Sequence, residues 1–393
     1  MSVKLKPPFR AEHVGSLHRP QALRDARTRL LGGLKREGGF GKHNNSELRE
    51  IENKYIADIV KLQEDVGLRT ITDGEYRRQV WLTEFLSSLD GLDMSLKIVP
   101  GQGTGFRSNE RQGKSKTEDV ENVAVQYRVD RPIKWVGSSN VDAFTFLKGI
   151  TKGVPKVTIP APQDYYFMGA SGKAVISPQA YPDQTKFWDD MAVAYKCEVD
   201  ALVAAGCTHI QFDDVVNACM CDERHTARMK AEGEDPQALM AAYVACLNRA
   251  LAGRPDTLLV SMHICRGNRH GHYIAEGGYD HVADYLFNNL EIDNYYLEYD
   301  TPRAGSFEPL RLMPKDKTVV LGLVTTKRAE LEPMDDLRRR IDEAAKFMPL
   351  DRLSLSPQCG FSGDMMSDVM SLDQMKQKLS LVVRTAEAVW GTA

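Results

Sequence analysis

Along its length the chain repeats one unit: a short, nearly continuous apolar run, then a longer stretch with apolar residues every three to four positions. The first kind predicts a strand covered on both faces, the second an amphipathic helix. From residue 150 onward the runs are KVTIPAP (156–162), HIQFDD (209–214), LLVSMHIC (258–265), NYYLEYD (294–300), TVVLGLVTT (318–326) and LSLSPQC (353–359). Stretches such as TKFWDDMAVAYKCEVDALVAAG, DPQALMAAYVACLNRALAG and DQMKQKLSLVVRTAEAV carry the helical period. Upstream, EHVGS (12–16) and LRTITDGE (68–75) add two strands, separated by the helical NNSELREIENKYIADIVKLQEDVG. Strands alternating with helices imply right-handed parallel crossovers. The count is eight, which predicts an α/β fold of the (β/α)8 TIM-barrel kind, as one domain over residues 1–393. An open doubly wound sheet is the alternative, but no GxGxxG fingerprint follows any of the strands.

One segment breaks the rhythm. Residues 86–150, rich in Gly, Lys and alternating β-formers, read as a long excursion between the second and third strands. It is expected to carry a β-hairpin. An insertion of this length in a compact domain serves as a lid, a binding element or an interface.

The strand ends share a chemistry. GS, DGE, PAP, DD, HIC, EYD, TTK and QCG close the eight in turn, so polar and metal-capable groups gather where barrel enzymes hold their sites. His263 and Cys265 are two apart on the fifth strand and therefore face the same side. H-x-C alone is equally compatible with a core histidine beside a core cysteine. Cys359, at the end of the eighth strand, and Glu298, on the sixth, complete a set of two thiols, an imidazole and a carboxylate that suits zinc. Asp300 shares a face with Glu298, and spacing does not choose between them.

A rival set, Cys219, Cys221 and His225 in ACMCDERH, sits in what reads as one loop after the fourth strand and has no fourth ligand in view. It is read as reduced structural thiols. His270 and His272 are placed in a loop lining the mouth.

Composition excludes more than it assigns. A formal net charge of −3 with no basic block argues against nucleic acid or an anionic membrane as partner. No apolar run approaches a membrane span, and KLKPPFR leads into no signal-peptide core. Seven scattered cysteines, an odd number, read as reduced thiols in the cytoplasm. A homo-oligomer is left open.

RAEHVGSLHRP, ITDGEYRR, IQFDD, HICRGN, LEYDTPRAGSFEPL, LGLVTTKRAELEP and LSPQCGF together resemble the cobalamin-independent methionine synthase superfamily, across nearly the whole chain. The likeness is to its short, single-barrel members, a group that includes epoxyalkane:coenzyme M transferase. It implies zinc (Zn2+) held by His263, Cys265, Glu298 and Cys359, which are also the catalytic residues. Gly15 and Ser16 match the pair that holds an amino-acid carboxylate, and Glu75 and Asp213 match carboxylates for its ammonium group. The implied partners are a small-molecule thiol and an alkyl donor.

Departures bear on the donor. A pterin-stacking tryptophan expected after VTI is replaced by Pro160 to Pro162, and the histidine of the strand-seven loop is Lys327. The second, N-terminal barrel of the long relatives is missing from the sequence. Three functions follow: methyl transfer to homocysteine, epoxide opening by a sulfonated thiol, and a non-catalytic zinc site. A sulfonate calls for arginine, and Arg77, Arg78 and Arg266 all lie near strand ends.

Overall fold

The computed structural model describes residues 7–32, 42–98, 123–167, 175–365 and 369–393. Its strands are β1 (Thr70–Ile71), β2 (Leu89–Ile98), β3 (Val123–Trp135), β4 (Val154–Pro155), β5 (Val157–Pro160), β6 (His209–Asp214), β7 (Leu259–Ile264), β8 (Asn294–Glu298), β9 (Thr318–Val324) and β10 (Leu353–Pro357). Six of them, ordered β10-β9-β8-β7-β6-β5, form one parallel sheet. Neighbours in that order are also neighbours in sequence, as right-handed helical crossovers require. Both faces are covered, so the strands are apolar almost throughout: Val260, Met262, Ile264, Val319, Leu321 and Leu355 are buried.

The sheet is extended at each edge. Beside β10, Ala11 bridges Leu355, and Glu12 N–H donates to the Leu355 carbonyl at 2.9 Å. At the other edge β1 pairs in parallel with β4, which runs on into β5. Backbone ladders do not join Ala11–Val14 to β1 among the described residues, so the ring of eight predicted from the sequence is present as a six-stranded sheet with two flanking pieces. The reason is local: EHVGS is held largely by side chains rather than by a ladder. Thr70 Oγ donates to Glu12 (2.7 Å), and Thr72 Oγ to the Gly15 carbonyl (2.6 Å). Side chains of the sheet hold this segment too: Tyr296 Oη on β8 donates to Glu12 (3.0 Å) and Gln211 Nε2 on β6 to the Val14 carbonyl (2.6 Å).

The connecting helices start on the signals their sequences carry. Asp183 and Asp235 cap Gln184–Ala204 and Pro236–Leu251 by accepting from the N–H two residues on. Ser371 and Gln374 form a capping box for Leu372–Trp390, which ends on Gly391 in the left-handed conformation. No helix among the described residues is long and apolar enough to cross a membrane.

Within the excursion, β2 and β3 pair as an antiparallel ribbon, and the segment joining them lies outside the described residues. The sequence reading missed a helix there, Asn140–Ile150. Ser138 Oγ and Asn140 Nδ2 near its start, and Trp135 Nε1 at the end of β3, donate to the buried carboxylate of Glu198. The edge-on contact of Tyr127 with Tyr165, ring centres 5.4 Å apart, lays the ribbon beside the end of β5.

Candidate metal centre

Parallel register brings the chemistry to one end of the sheet. Asp213 lies opposite His263 and Pro160, His263 opposite Tyr296, and Glu298 opposite Gly322. Cys265 directly follows β7, and Cys359 lies just beyond β10. One ligand atom from each of His263, Cys265, Glu298 and Cys359 falls within 4.8 Å of all the others. The two sulfurs are 3.3 Å apart. A tetrahedral zinc with bonds of about 2.3 Å to sulfur would hold them roughly 3.8 Å apart.

Each ligand is aimed by a backbone group. His263 Nδ1 faces the Tyr296 carbonyl at 3.3 Å, which makes it the N–H side and leaves Nε2 as the free lone pair. Arg266 N–H donates to Glu298 Oε1 at 2.7 Å, and Gly267 N–H to Cys265 Sγ at 3.3 Å. His263 Nε2 and Glu298 Oε2 are buried without a hydrogen-bond partner, with the Arg303 guanidinium 3.5 Å from Glu298 Oε2. Two orphaned donor atoms of one polarity beside two sulfurs fit a cation.

The electrostatics agree. Burial pulls His263 down, but the adjacent Cys265, Asp213 and Glu298 outweigh it and bring the imidazole to about 9. Contact with Cys359, then burial, drives the Cys265 thiol well above its usual range. A protein-only cluster thus resists becoming two thiolates, and a dication reverses that resistance.

Close approach demands glycine at two points. A Cβ on Gly322 would sit 2.7 Å from Gln358 Cα, and one on Gly360 would sit 1.9 Å from Ser16 Oγ. Larger residues would push away the backbone on either side of Cys359.

Glu75 lies on a strained turn, near enough to Asp213 to act on its carboxyl. Gly74 and Glu75 both have positive φ, 67° and 62°, and the second is unusual for a side chain of this size. Oε1 of the buried carboxylate accepts from Thr158 Oγ (2.8 Å) and Arg78 (3.2 Å), while Oε2 has no hydrogen-bond partner, with Arg19 3.8 Å away. Gly15, at φ 143°, would with a Cβ meet Thr158 Cγ2 at 2.6 Å and come within 3.9 Å of Glu75 Oε1. Ser16 accepts from Phe361 N–H at 2.9 Å. Gly15 is thus packed beside Glu75 and Thr158, Ser16 against Gly360 next to Cys359, and Asp213 opposite His263 in the sheet. Burial, reinforced by Glu75, raises the Asp213 carboxyl to about 7 against the pull of His263 and Arg78.

The other candidates fall elsewhere. Asp300 is paired with Arg303 at 3.0 Å and is not part of the cluster. Cys219, Cys221 and His225 lie on two short helices, Val216–Met220 and Glu223–Ala231, and their junction, where a loop was expected. Asp222 caps the second helix, and His225 Nε2 faces the Ile274 carbonyl at 3.0 Å. His272 is buried, its Nδ1 3.0 Å from the His270 carbonyl, and His270 has a positive φ of 48°. Arg77 is tied to Glu52 and Asn53, Arg78 to Glu75 and the Thr158 carbonyl, and Arg266 is stacked 4.5 Å over Tyr279. Sequence reasoning missed Arg303, Asn268, Thr326 and Gln358 around the ligands. Asn268, Thr326 and Gln358 carry no spacing signal, because their partners come from other strands, whereas Arg303 is three residues from Asp300 and five from Glu298, a local spacing that could have drawn notice.

Residues 172–386 match the family described as cobalamin-independent synthase, catalytic domain. The uncharacterized protein YxjH of Bacillus subtilis is 37% identical over 387 residues, covering 98% of this chain and 96% of that one. Methionine synthase of Saccharolobus solfataricus is 25% identical over 353 residues, 88% of this chain and 86% of the relative. A Listeria monocytogenes protein, solved as a candidate vitamin-B12-independent methionine synthase, superposes with a TM-score of 0.72 at 32% identity, covering 98% of each chain. A B12-independent methionine synthase from Shewanella, solved with selenomethionine, shares the fold at a TM-score of 0.69 and 21% identity, covering 97% of each chain. This chain belongs to the family of cobalamin-independent synthase catalytic domains, the methionine-synthase-like family that its strand-end motifs resemble.

Proposed function

We propose that this protein transfers a methyl group to the thiol of homocysteine, using zinc held by His263, Cys265, Glu298 and Cys359. The observation that carries the reading is the convergence of these four ligand atoms within 4.8 Å, two of them buried and unpartnered. A zinc ion there would take the substrate as a thiolate at neutral pH, when a free alkyl thiol is mostly protonated.

The chain's own groups bind and orient. Glu75 Oε2, free of hydrogen bonds, and Asp213 receive the ammonium group of the amino acid, while Ser16 and the Gly15 backbone take its carboxylate. Transfer then depends on holding the thiol in line with the donor carbon. A sulfonated thiol fits less well at Arg77 and Arg78, which are paired with Glu52 and Glu75, while Arg266 is stacked on Tyr279.

We also read the sheet and its two flanking pieces as one closed eight-stranded barrel in a single domain, with the ribbon of residues 86–150 as its lid. The contacts of Tyr296 with Glu12 and of Gln211 with Val14 span such an interior and support this. A cytoplasmic location suits an enzyme of reduced thiols.

The test is metal analysis with zinc-edge spectroscopy, with and without homocysteine, alongside a methyl-transfer assay. About one zinc per chain, two protein sulfurs, and a third sulfur on adding homocysteine are expected. Zinc on Cys219 and Cys221, or no zinc after metal-replete expression, would end the proposal.

A further inference from the structure

Two residues that are not ligands touch both cysteines' neighbourhoods. Thr326, fully buried just beyond β9, donates its N–H to Gln358 Oε1 at 2.5 Å, and its Oγ lies 3.0 Å from the Gly360 carbonyl oxygen. Asn268 Nδ2 closes the group, donating to Thr326 Oγ (2.7 Å) and to the same Gly360 carbonyl (3.0 Å). Gln358 and Gly360 are the residues on either side of Cys359. The next residue, Lys327, is 1% exposed, and its Nζ donates to the carbonyl of Gly267. Gly267 has a φ of 85°, and its N–H donates to Cys265 Sγ at 3.3 Å.

We propose that the dipeptide Thr326–Lys327 is a brace that sets the spacing of the two cysteine sulfurs. Thr326 acts on Cys359 through Gln358 and Gly360, and Lys327 acts on Cys265 through Gly267. Both are positioning residues. The cysteines sit at the ends of different strands, β7 and β10, so nothing in either strand alone fixes their separation. The end of β9 supplies the common reference. Lys327 has a second effect: two thiolates and a carboxylate on a dication carry net negative charge, and a buried ammonium on the adjoining carbonyl offsets it.

This inference rests on the zinc reading, and its test separates the two. Zinc affinity is measured by chelator competition, and cobalt(II)-substituted protein is scanned for sulfur-to-metal charge-transfer bands. Thr326→Val keeps the shape but loses the hydroxyl bonds, and should weaken zinc binding roughly 10–100-fold and shift the bands. Thr326→Ser should return both to near the parent values. Lys327→Met should weaken zinc binding about tenfold. Asn268→Ala tests the Cys359 arm from the other side, should a Thr326 variant not fold, and should weaken zinc as Thr326→Val does. A parent chain that binds zinc while these variants match it in affinity and bands would overturn the brace alone. A parent chain that binds no zinc would overturn both readings.

Discussion

Cys265 Sγ and Cys359 Sγ lie 3.3 Å apart although 94 residues separate them in the chain. β7 and β10 stand three places apart in the sheet, so the two thiols meet across the strand ends, with close approach at Gly322 and Gly360 on the Cys359 side. Cys359→Ser should therefore lower zinc affinity by more than the roughly 10–100-fold typical of outer-shell changes and abolish transfer, with the fold kept. Chelator competition and circular dichroism check it. Activity near the parent level would remove Cys359 from the ligand set.

Gly322→Ala offers a test of the same site that leaves every ligand in place. Its Cβ would lie 2.7 Å from Gln358 Cα, a backbone atom that can yield only if the chain itself moves. We expect β10 to shift at its end, zinc affinity to fall at least tenfold, and stability to drop by about 1–3 kcal/mol, the usual range for overpacking. Unchanged metal binding would show that Cys359 tolerates movement of its strand.

Glu75→Gln should weaken binding of an amino-acid thiol by roughly 2 kcal/mol or more, about 30-fold, the scale for losing one partner of a buried charge pair. Binding of a thiol without the ammonium group should change little. Calorimetry with homocysteine and with a simple alkyl thiol makes the comparison. Equal losses would assign Glu75 to structure, through its bonds to Thr158 and Arg78.

His13 gives a pH dependence with a defined sign. Burial, helped by nearby Lys156, lowers its pKa to about 3, and its Nε2 faces the Thr70 carbonyl at 3.0 Å. The unfolded chain protonates this histidine below about 6.5 and the folded chain does not, so the unfolded state binds more protons and stability falls as pH drops. The loss runs from about 6.5 down to about 3, at up to about 1.4 kcal/mol per pH unit. His13→Gln, which can keep a donor to Thr70, should flatten the difference in unfolding free energy between pH 6.5 and pH 5 by about 1–2 kcal/mol. Parallel pH profiles for both chains would refute it.

Pro160 to Pro162 are buried, and the Pro160 carbonyl accepts from Tyr195 Oη at 2.7 Å, so this segment offers no aromatic face to a pterin. Stacking of that kind contributes about 1 kcal/mol beyond burial. Methyltetrahydrofolate should turn over more slowly than methylcobalamin or another reactive methyl donor, with homocysteine as acceptor. Steady-state assays that rank the folate equal or better would contradict this.

The alternation of apolar runs and amphipathic stretches determined the parallel order of β5 to β10, because a strand buried on both faces and a helix buried on one leave different periods in the sequence. The residue types at the strand ends also put His263, Cys265 and Cys359 forward, with Glu298 or Asp300 as the carboxylate, and ligand atoms of His263, Cys265, Glu298 and Cys359 do lie together. Two helices around Cys219 to His225 escaped because 5 and 9 residues carry few turns, and Asn140–Ile150 because it was absorbed into the excursion of β-formers before it. Only the tertiary structure separated Glu298 from Asp300: the Glu298 carboxylate, held by Arg266 N–H, falls within 4.8 Å of the other three ligand atoms, and Asp300 is not in that group. It also placed Thr326, Lys327 and Asn268, whose partners are on other strands. Side chains one strand apart in space are tens of residues apart in sequence, and no local pattern records which of them meet.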